Sequence, residues 1–180
     1  MTRSAWTLCR RLSLLCIAIA AIALPFLGQS GAPSGKPAPE FVGIERWLNS
    51  PPLTMQGLRG KVVLIDFWTF ACSNCIHTLP QVAKWHDSYA ERGLVIVGVH
   101  TPETDFEQMD DPVEKALVRF RIRYPVAQDN AHATWNAWDN HYWPAFYLVD
   151  RRGNVAFSHF GEGETEAIEA AIRRLLDEPV

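Results

Sequence analysis

Seven consecutive residues, Val62 to Trp68, are aliphatic or aromatic apart from Asp66, and four positions later the chain reads Cys72-Ser73-Asn74-Cys75. A run of that kind lacks the alternation of a half-solvated strand and reads as a strand buried on both faces. Residues 72–91 after it read as a helix, with Ile76, Leu79, Val82 and Tyr89 near one face and a kink at Pro80. The two cysteines therefore open a helix at the end of a buried strand. Free N–H groups and the positive dipole end favour a thiolate there. Two intervening residues put both sulfurs on one turn. That context makes the spacing a redox signal, with Cys72 as the exposed nucleophile and Cys75 as the more buried resolving thiol.

Other chemistries fit the pair less well. A c-type haem site needs His directly after the second Cys, but Ile76 intervenes and His77 comes one position late. A structural zinc site needs two further ligands at motif spacing, and no second Cys-x-x-Cys or His-x-x-x-His occurs. A disulfide across four residues closes too small a loop to stabilise much.

The rest of the chain alternates strand-like and helix-like runs. Residues 94–99 read as a second buried strand. Residues 103–123 read as a helix, with Phe106, Leu117, Val118 and Phe120 as core contacts. A short strand over 126–128 and a short helix over 131–138 follow. Residues 145–149 and 154–160 flank Asp150-Arg151-Arg152-Gly153 as a β-hairpin. Residues 164–176 close the chain as a helix, with Ile168, Ile172, Leu175 and Leu176 on one face. The order β-α-β-α-β-α-β-β-α is that of an α/β domain, a central mixed sheet with helices on both faces.

The first 30 residues carry Arg3, Arg10 and Arg11 and no acid, then an uncharged run from Leu12 to Gly28. This is the layout of a signal peptide, with Gly28 and Ser30 at the −3 and −1 positions of a cleavage site. Seventeen apolar residues also reach the short end of the ~17–25 that span a bilayer, so an uncleaved anchor is the alternative. Cys9 and Cys16 read as small apolar fillers. Residues 31–39, rich in Pro, Gly and Ala, read as a flexible tether, and residues 40–180 as the folded domain. Beyond residue 30 the chain holds 14 basic and 20 acidic residues, a net charge of −6. That balance argues against nucleic acid as a partner and against attraction to anionic lipid. Two of the four cysteines remain there, as one close pair, which points to chemistry rather than stapling.

Three strings carry a resemblance. Residues 66–80 run from Asp66 through the cysteine pair to Pro80. Residues 98–103 read Gly-Val-His-Thr-Pro-Glu, and residues 142–145 read Tyr-Trp-Pro-Ala. Together they resemble the thioredoxin-like proteins, within them the exported TlpA-like group and its DipZ-like branch, over roughly residues 40–176. The resemblance implies a thioredoxin-like fold and a thiol-disulfide oxidoreductase, with a redox-active Cys72–Cys75 disulfide and no cofactor or metal. It implies that Cys72 attacks a substrate disulfide and that Cys75 resolves the mixed disulfide. Asp66 matches the buried acid that exchanges a proton with the second thiol, which suits a carboxyl whose pKa burial raises. Pro144 matches a cis-proline, and Trp143 and Trp68 match substrate-contacting positions. The implied setting is the periplasm or another extracytoplasmic space, and the implied substrate a disulfide-bearing envelope protein such as an apo-cytochrome. Long DipZ-like proteins carry a membrane electron conduit in the same chain, so here a separate CcdA-like donor is expected. Ser73-Asn74 differs from the Gly-Pro of thioredoxin and the Pro-His of strong oxidants, which leaves the direction open.

Two other functions compete. Thr69-Phe70-Ala71-Cys72 has the Thr-x-x-Cys spacing of a thiol peroxidase, without its usual upstream proline. Two thiols and a loosely placed His141 are the minimum of a copper chaperone. His100 and Glu103 read as polar loop residues near the active-site end, with a role in shaping the thiols as the alternative. His77 reads as an exposed helix residue, and His86, His132 and His159 as surface or loop residues. Trp135, Trp138, Tyr142, Trp143, Phe146 and Tyr147 read mostly as core.

Overall fold

In the computed structural model, which describes residues 35–179, six strands form one mixed sheet in the order β1-β4-β3-β2-β5-β6. The strands are β1 (Arg46–Leu48), β2 (Val62–Trp68), β3 (Leu94–His100), β4 (Val126–Gln128), β5 (Ala145–Val149) and β6 (Val155–Phe160). The helices are α1 (Ser73–Tyr89), α2 (Asp110–Phe120), α3 (Ala133–Ala137) and α4 (Thr165–Asp177). β2, β3 and β4 run parallel, while β5, β6 and β1 are antiparallel to their neighbours. This is the thioredoxin-like architecture expected from the sequence. The segment that the sequence reads as targeting, with Arg3, Arg10, Arg11, Cys9, Cys16, Gly28 and Ser30, lies outside the described residues.

The central strand β2 is buried at all seven positions, because both faces of the sheet are covered. On one face Val62, Leu64 and Trp68 pack with α1, α2 and α4 through Leu79, Val82, Leu117, Ile168 and Ile172. On the other, Val63, Ile65 and Phe67 pack with Trp135, Trp138, Met55 and Leu58. The short helix α3 and the segment before β2 therefore do on that face what three longer helices do on the first. Asp66 points to the three-helix face, in register with Gly98 of β3 and Phe146 of β5.

The structure corrects several expectations. β1 pairs with β4 at the sheet edge, and its three residues are too few to give a sequence signal. The expected helix over 103–123 is a 3₁₀ turn over Asp105–Gln108 followed by the shorter α2. The extended Met109 separates the two, and Arg121 ends α2 in the left-handed region. Phe106 and Val118 are consequently not core residues, being 60% and 81% exposed. The buried stripe of α2 is Val113, Ala116 and Leu117, with Phe120 packed at its edge. α1 continues unbroken through the exposed Pro80. Lys36, Pro37 and Ala38, in the span that composition reads as a tether, bond to the turn of the β5–β6 hairpin. Since Val149 pairs with Val63 and Ala145 with Phe67, that turn lies at the end of the sheet away from Cys72.

Candidate active site

β2 delivers its last residues to the loop Thr69–Ala71, and Cys72 follows as the N-cap of α1. A cap with extended backbone directs its side chain back over the first turn. The Cys72 Sγ accepts the Cys75 N–H at 3.4 Å, and the Cys72 carbonyl accepts the Ile76 N–H at 3.0 Å. Cys72 is half-buried and Cys75 fully buried, and both thiols are free. Burial pushes the Cys75 thiol far up, and its hydrogen bond to Cys72 and the nearby charges of Cys72 and Asp66 add to this against the Thr69 N–H. Asp66 is also fully buried, and burial raises its carboxyl to about 8. The site thus joins one reachable sulfur to a second held protonated, with an acid beside it that titrates near neutral pH.

The Trp143–Pro144 peptide bond is cis. Pairing of Ala145 with Phe67 places Pro144 at the end of the sheet where β2 hands the chain to Cys72. The Pro144 carbonyl accepts the Gly161 N–H at 2.8 Å. Trp143 donates its indole N–H to the Thr101 carbonyl at 3.1 Å and packs on Trp135 at 4.0 Å, leaving part of the ring exposed. Trp68 is fully buried, edge-on to His100 at 5.1 Å. The expectation that Trp68 touches substrate is therefore corrected: it supports the loop from inside.

His100 is the last residue of β3 rather than a loop residue. Its ring is fully buried, stacks on Phe70 at 5.5 Å and lies 3.4 Å from the Thr69 hydroxyl. Burial lowers it to about 4, so it is neutral at pH 7. Glu103 is exposed and contributes only its backbone N–H, which Glu107 accepts at 2.9 Å. Glu107 is the acid that sequence reasoning missed. Fully buried, it accepts the Thr69 hydroxyl, the Ala71 N–H at 3.3 Å, and the Thr104 N–H and hydroxyl. Burial works to raise its pKa, but the bonds from Thr69, Glu103 and Thr104 outweigh it and hold the carboxyl low. The readable signal was Thr104-x-x-Glu107, the pattern of a capping box.

Thr69 is likewise more than a loop residue, because its buried hydroxyl is committed to Glu107. His77 is exposed and pairs with Glu162 at 3.0 Å. His141 is exposed and pairs with Asp139 at 3.2 Å. Among the described residues no three His, Cys, Asp or Glu side chains gather to hold a metal. Trp135, Trp138, Phe146 and Tyr147 are core, while Tyr142 is 56% exposed.

Comparisons with known proteins place this geometry. The Redoxin family model matches residues 33–175. Protein DipZ of Mycobacterium bovis is 46% identical over 144 residues, which are 78% of this chain and 21% of that protein. The chain thus spans about a fifth of the length of that relative. The thiol-disulfide oxidoreductase YkuV of Bacillus subtilis is 30% identical, with 79% of this chain and 96% of that protein covered. A solution structure of a thioredoxin-like protein in the oxidised form superposes with a TM-score of 0.74 at 31% identity, covering 81% of this chain and 97% of that one. The chain belongs to the redoxin family and has the thioredoxin-like fold.

Proposed function

We propose that this chain is an exported reductase of protein disulfides. Cys72 attacks one sulfur of a substrate disulfide, forming a mixed disulfide and releasing the other sulfur as a thiolate. The Cys75 thiol passes its proton to Asp66, and the Cys75 sulfur displaces the substrate from Cys72. The substrate leaves with both sulfurs reduced, and the Cys72–Cys75 disulfide holds the two electrons' worth of oxidation. Pro144 and Trp143 carry the backbone edge on which the substrate lies. The observation that carries this reading is the asymmetry of the pair: a half-buried Cys72 at a helix N-cap above a buried Cys75 beside a buried Asp66.

The domain plan is part of the proposal. Residues 1–30 direct export as a signal peptide or anchor, residues 31–39 connect, and residues 40–180 form the thioredoxin-like domain. Among the described residues no helix is long and apolar enough to cross a membrane. An oxidising compartment then requires a supply of electrons, which a separate CcdA-like membrane donor provides. The substrates are envelope proteins, with apo-cytochromes in cytochrome c biogenesis as one class.

Alkylating the thiols in intact cells that make the protein tests the direction. The expected result is a Cys72–Cys75 pair that is mostly reduced in the exported fraction and becomes oxidised when the membrane donor is removed. A pair found oxidised with the donor present would make the protein a disulfide donor instead.

A further inference from the structure

The apolar cluster under the three helices contains a small polar island that the fold does not use. Both Asp66 carboxyl oxygens, the Trp68 indole N–H and the Tyr124 hydroxyl are buried there without a hydrogen-bond partner. Each buried donor left without a partner costs about 1–3 kcal/mol, so several at one point call for a reason.

Glycine 98 brings them together. It is the register partner of Asp66 on the neighbouring parallel strand, and equivalent side-chain positions on adjacent strands lie about 5 Å apart. A β-carbon built on Gly98 would stand 2.9 Å from the Trp68 indole nitrogen and 3.2 Å from the Tyr124 ring. The indole edge and the phenol therefore occupy the space a side chain at position 98 would take, one strand spacing from the point where the Asp66 side chain leaves β2. Tyr124 is close enough for the Asp66 charge to act on it. An indole N–H can only donate, and a phenol donates readily. A carboxylate has two oxygens that only accept.

We propose that the Tyr124 hydroxyl and the Trp68 indole N–H are donors reserved for the ionised form of Asp66, which makes Tyr124 a positioning residue that sets the proton affinity of this acid. The inference rests on the proton-exchange role proposed for Asp66. Other titratable groups face the same spot. Cys75 and His86 come from α1, with the His86 ring 5.9 Å from that of Tyr124. His159 of β6 stacks on Phe146, the β5 partner of Asp66. From β3, β4, α2 and α4 the cluster receives Ile96, Val126, Leu117, Ile168 and Ile172. When Asp66 releases its proton, the two donors turn to it, and the negative charge is held beside Cys75. When Asp66 accepts the Cys75 proton, it lets them go.

The test reads Asp66 directly. The full chain, reduced and carrying ¹³C-labelled Asp carboxyl groups, is titrated by NMR, with the Asp66 signal identified by its absence in Asp66→Asn. Tyr124→Phe removes one hydroxyl and keeps the ring. The Asp66 midpoint is expected to rise by about one pH unit, the scale of one hydrogen bond to a charged group. Trp68→Phe is expected to shift it the same way. A Tyr124→Phe midpoint that stays put overturns the proposal, even if stability falls. A midpoint that moves down overturns it too, because the hydroxyl would then be serving the neutral acid. The readout does not depend on turnover. If Asp66→Asn leaves mixed-disulfide resolution unchanged, the role of Asp66 fails, while the midpoint still decides whether Tyr124 governs its proton.

Discussion

Replacing Cys75 by serine is expected to halt the reaction after one step, leaving the chain joined to its substrate through Cys72. The half-buried Cys72 can still attack, because its place at the α1 N-cap does not depend on the second sulfur. In the proposed mechanism the buried Cys75 releases the product, and a serine hydroxyl cannot displace a disulfide sulfur. Multiple turnover should fall to roughly a thousandth or less, since residues acting as a unit fail together. Replacing Cys72 by serine should abolish both turnover and the adduct. Burial raises the Cys75 thiol far above neutral pH, so it cannot stand in as the first nucleophile. Mass spectrometry of each variant after mixing with a disulfide-bonded peptide checks both outcomes. An adduct formed by Cys72→Ser would invert the assignment of the two sulfurs.

Asp66→Asn is expected to make the protein more stable and slower. In the fold this carboxyl titrates at about 8, against about 3.9 in an unfolded chain. Between those values the folded chain keeps a proton that the unfolded chain has released. The stability this gives is complete below about pH 4 and is lost as pH rises through 8, by roughly 5 kcal/mol in all. His100 has the opposite sign. Its folded value of about 4 lies below the unfolded value of about 6.5, so its contribution is complete above pH 6.5 and is lost as pH falls. The two trends oppose each other below pH 6.5. From 6.5 to 8 the loss of the Asp66 proton acts without that opposition from His100, and stability falls by roughly 2 kcal/mol. Urea unfolding at pH 6.5 and 8 should show that fall in the wild type and its loss in Asp66→Asn. Asparagine cannot take the Cys75 proton, so stopped-flow resolution of the mixed disulfide should slow about a hundredfold near pH 7. Unchanged rates across pH 6–9 would remove Asp66 from the mechanism. A gain in stability with a loss of rate is the signature of an ionisable group kept buried for function.

The parts of this protein that were legible in the sequence are those governed by local patterns. The unbroken run of β2 followed by Cys72-Ser73-Asn74-Cys75 located the thiols, since a buried strand and a helix N-terminus both leave short-range signatures. The apolar face of α4 was readable for the same reason. The polar network behind the loop was not, because Thr69, His100 and Glu107 are far apart in sequence and look like ordinary loop residues until the fold buries them. Periodicity failed over 103–123, where a 3₁₀ turn and an extended Met109 reset the helical phase and left Phe106 and Val118 on the surface. Tyr124 gave no sequence signal at all. Its relation to Asp66 exists only through the register of β2 with β3 and the missing side chain at Gly98.

The most direct measurement of the central claim is the reduction potential of the Cys72–Cys75 pair, obtained by equilibrating the protein with defined thiol buffers. A reductase must hold its electrons less tightly than the disulfides it serves, so the expected value lies near that of thioredoxin, about −270 mV. A value near that of a strong oxidant, about −120 mV, would contradict the account and make the pair a source of disulfides.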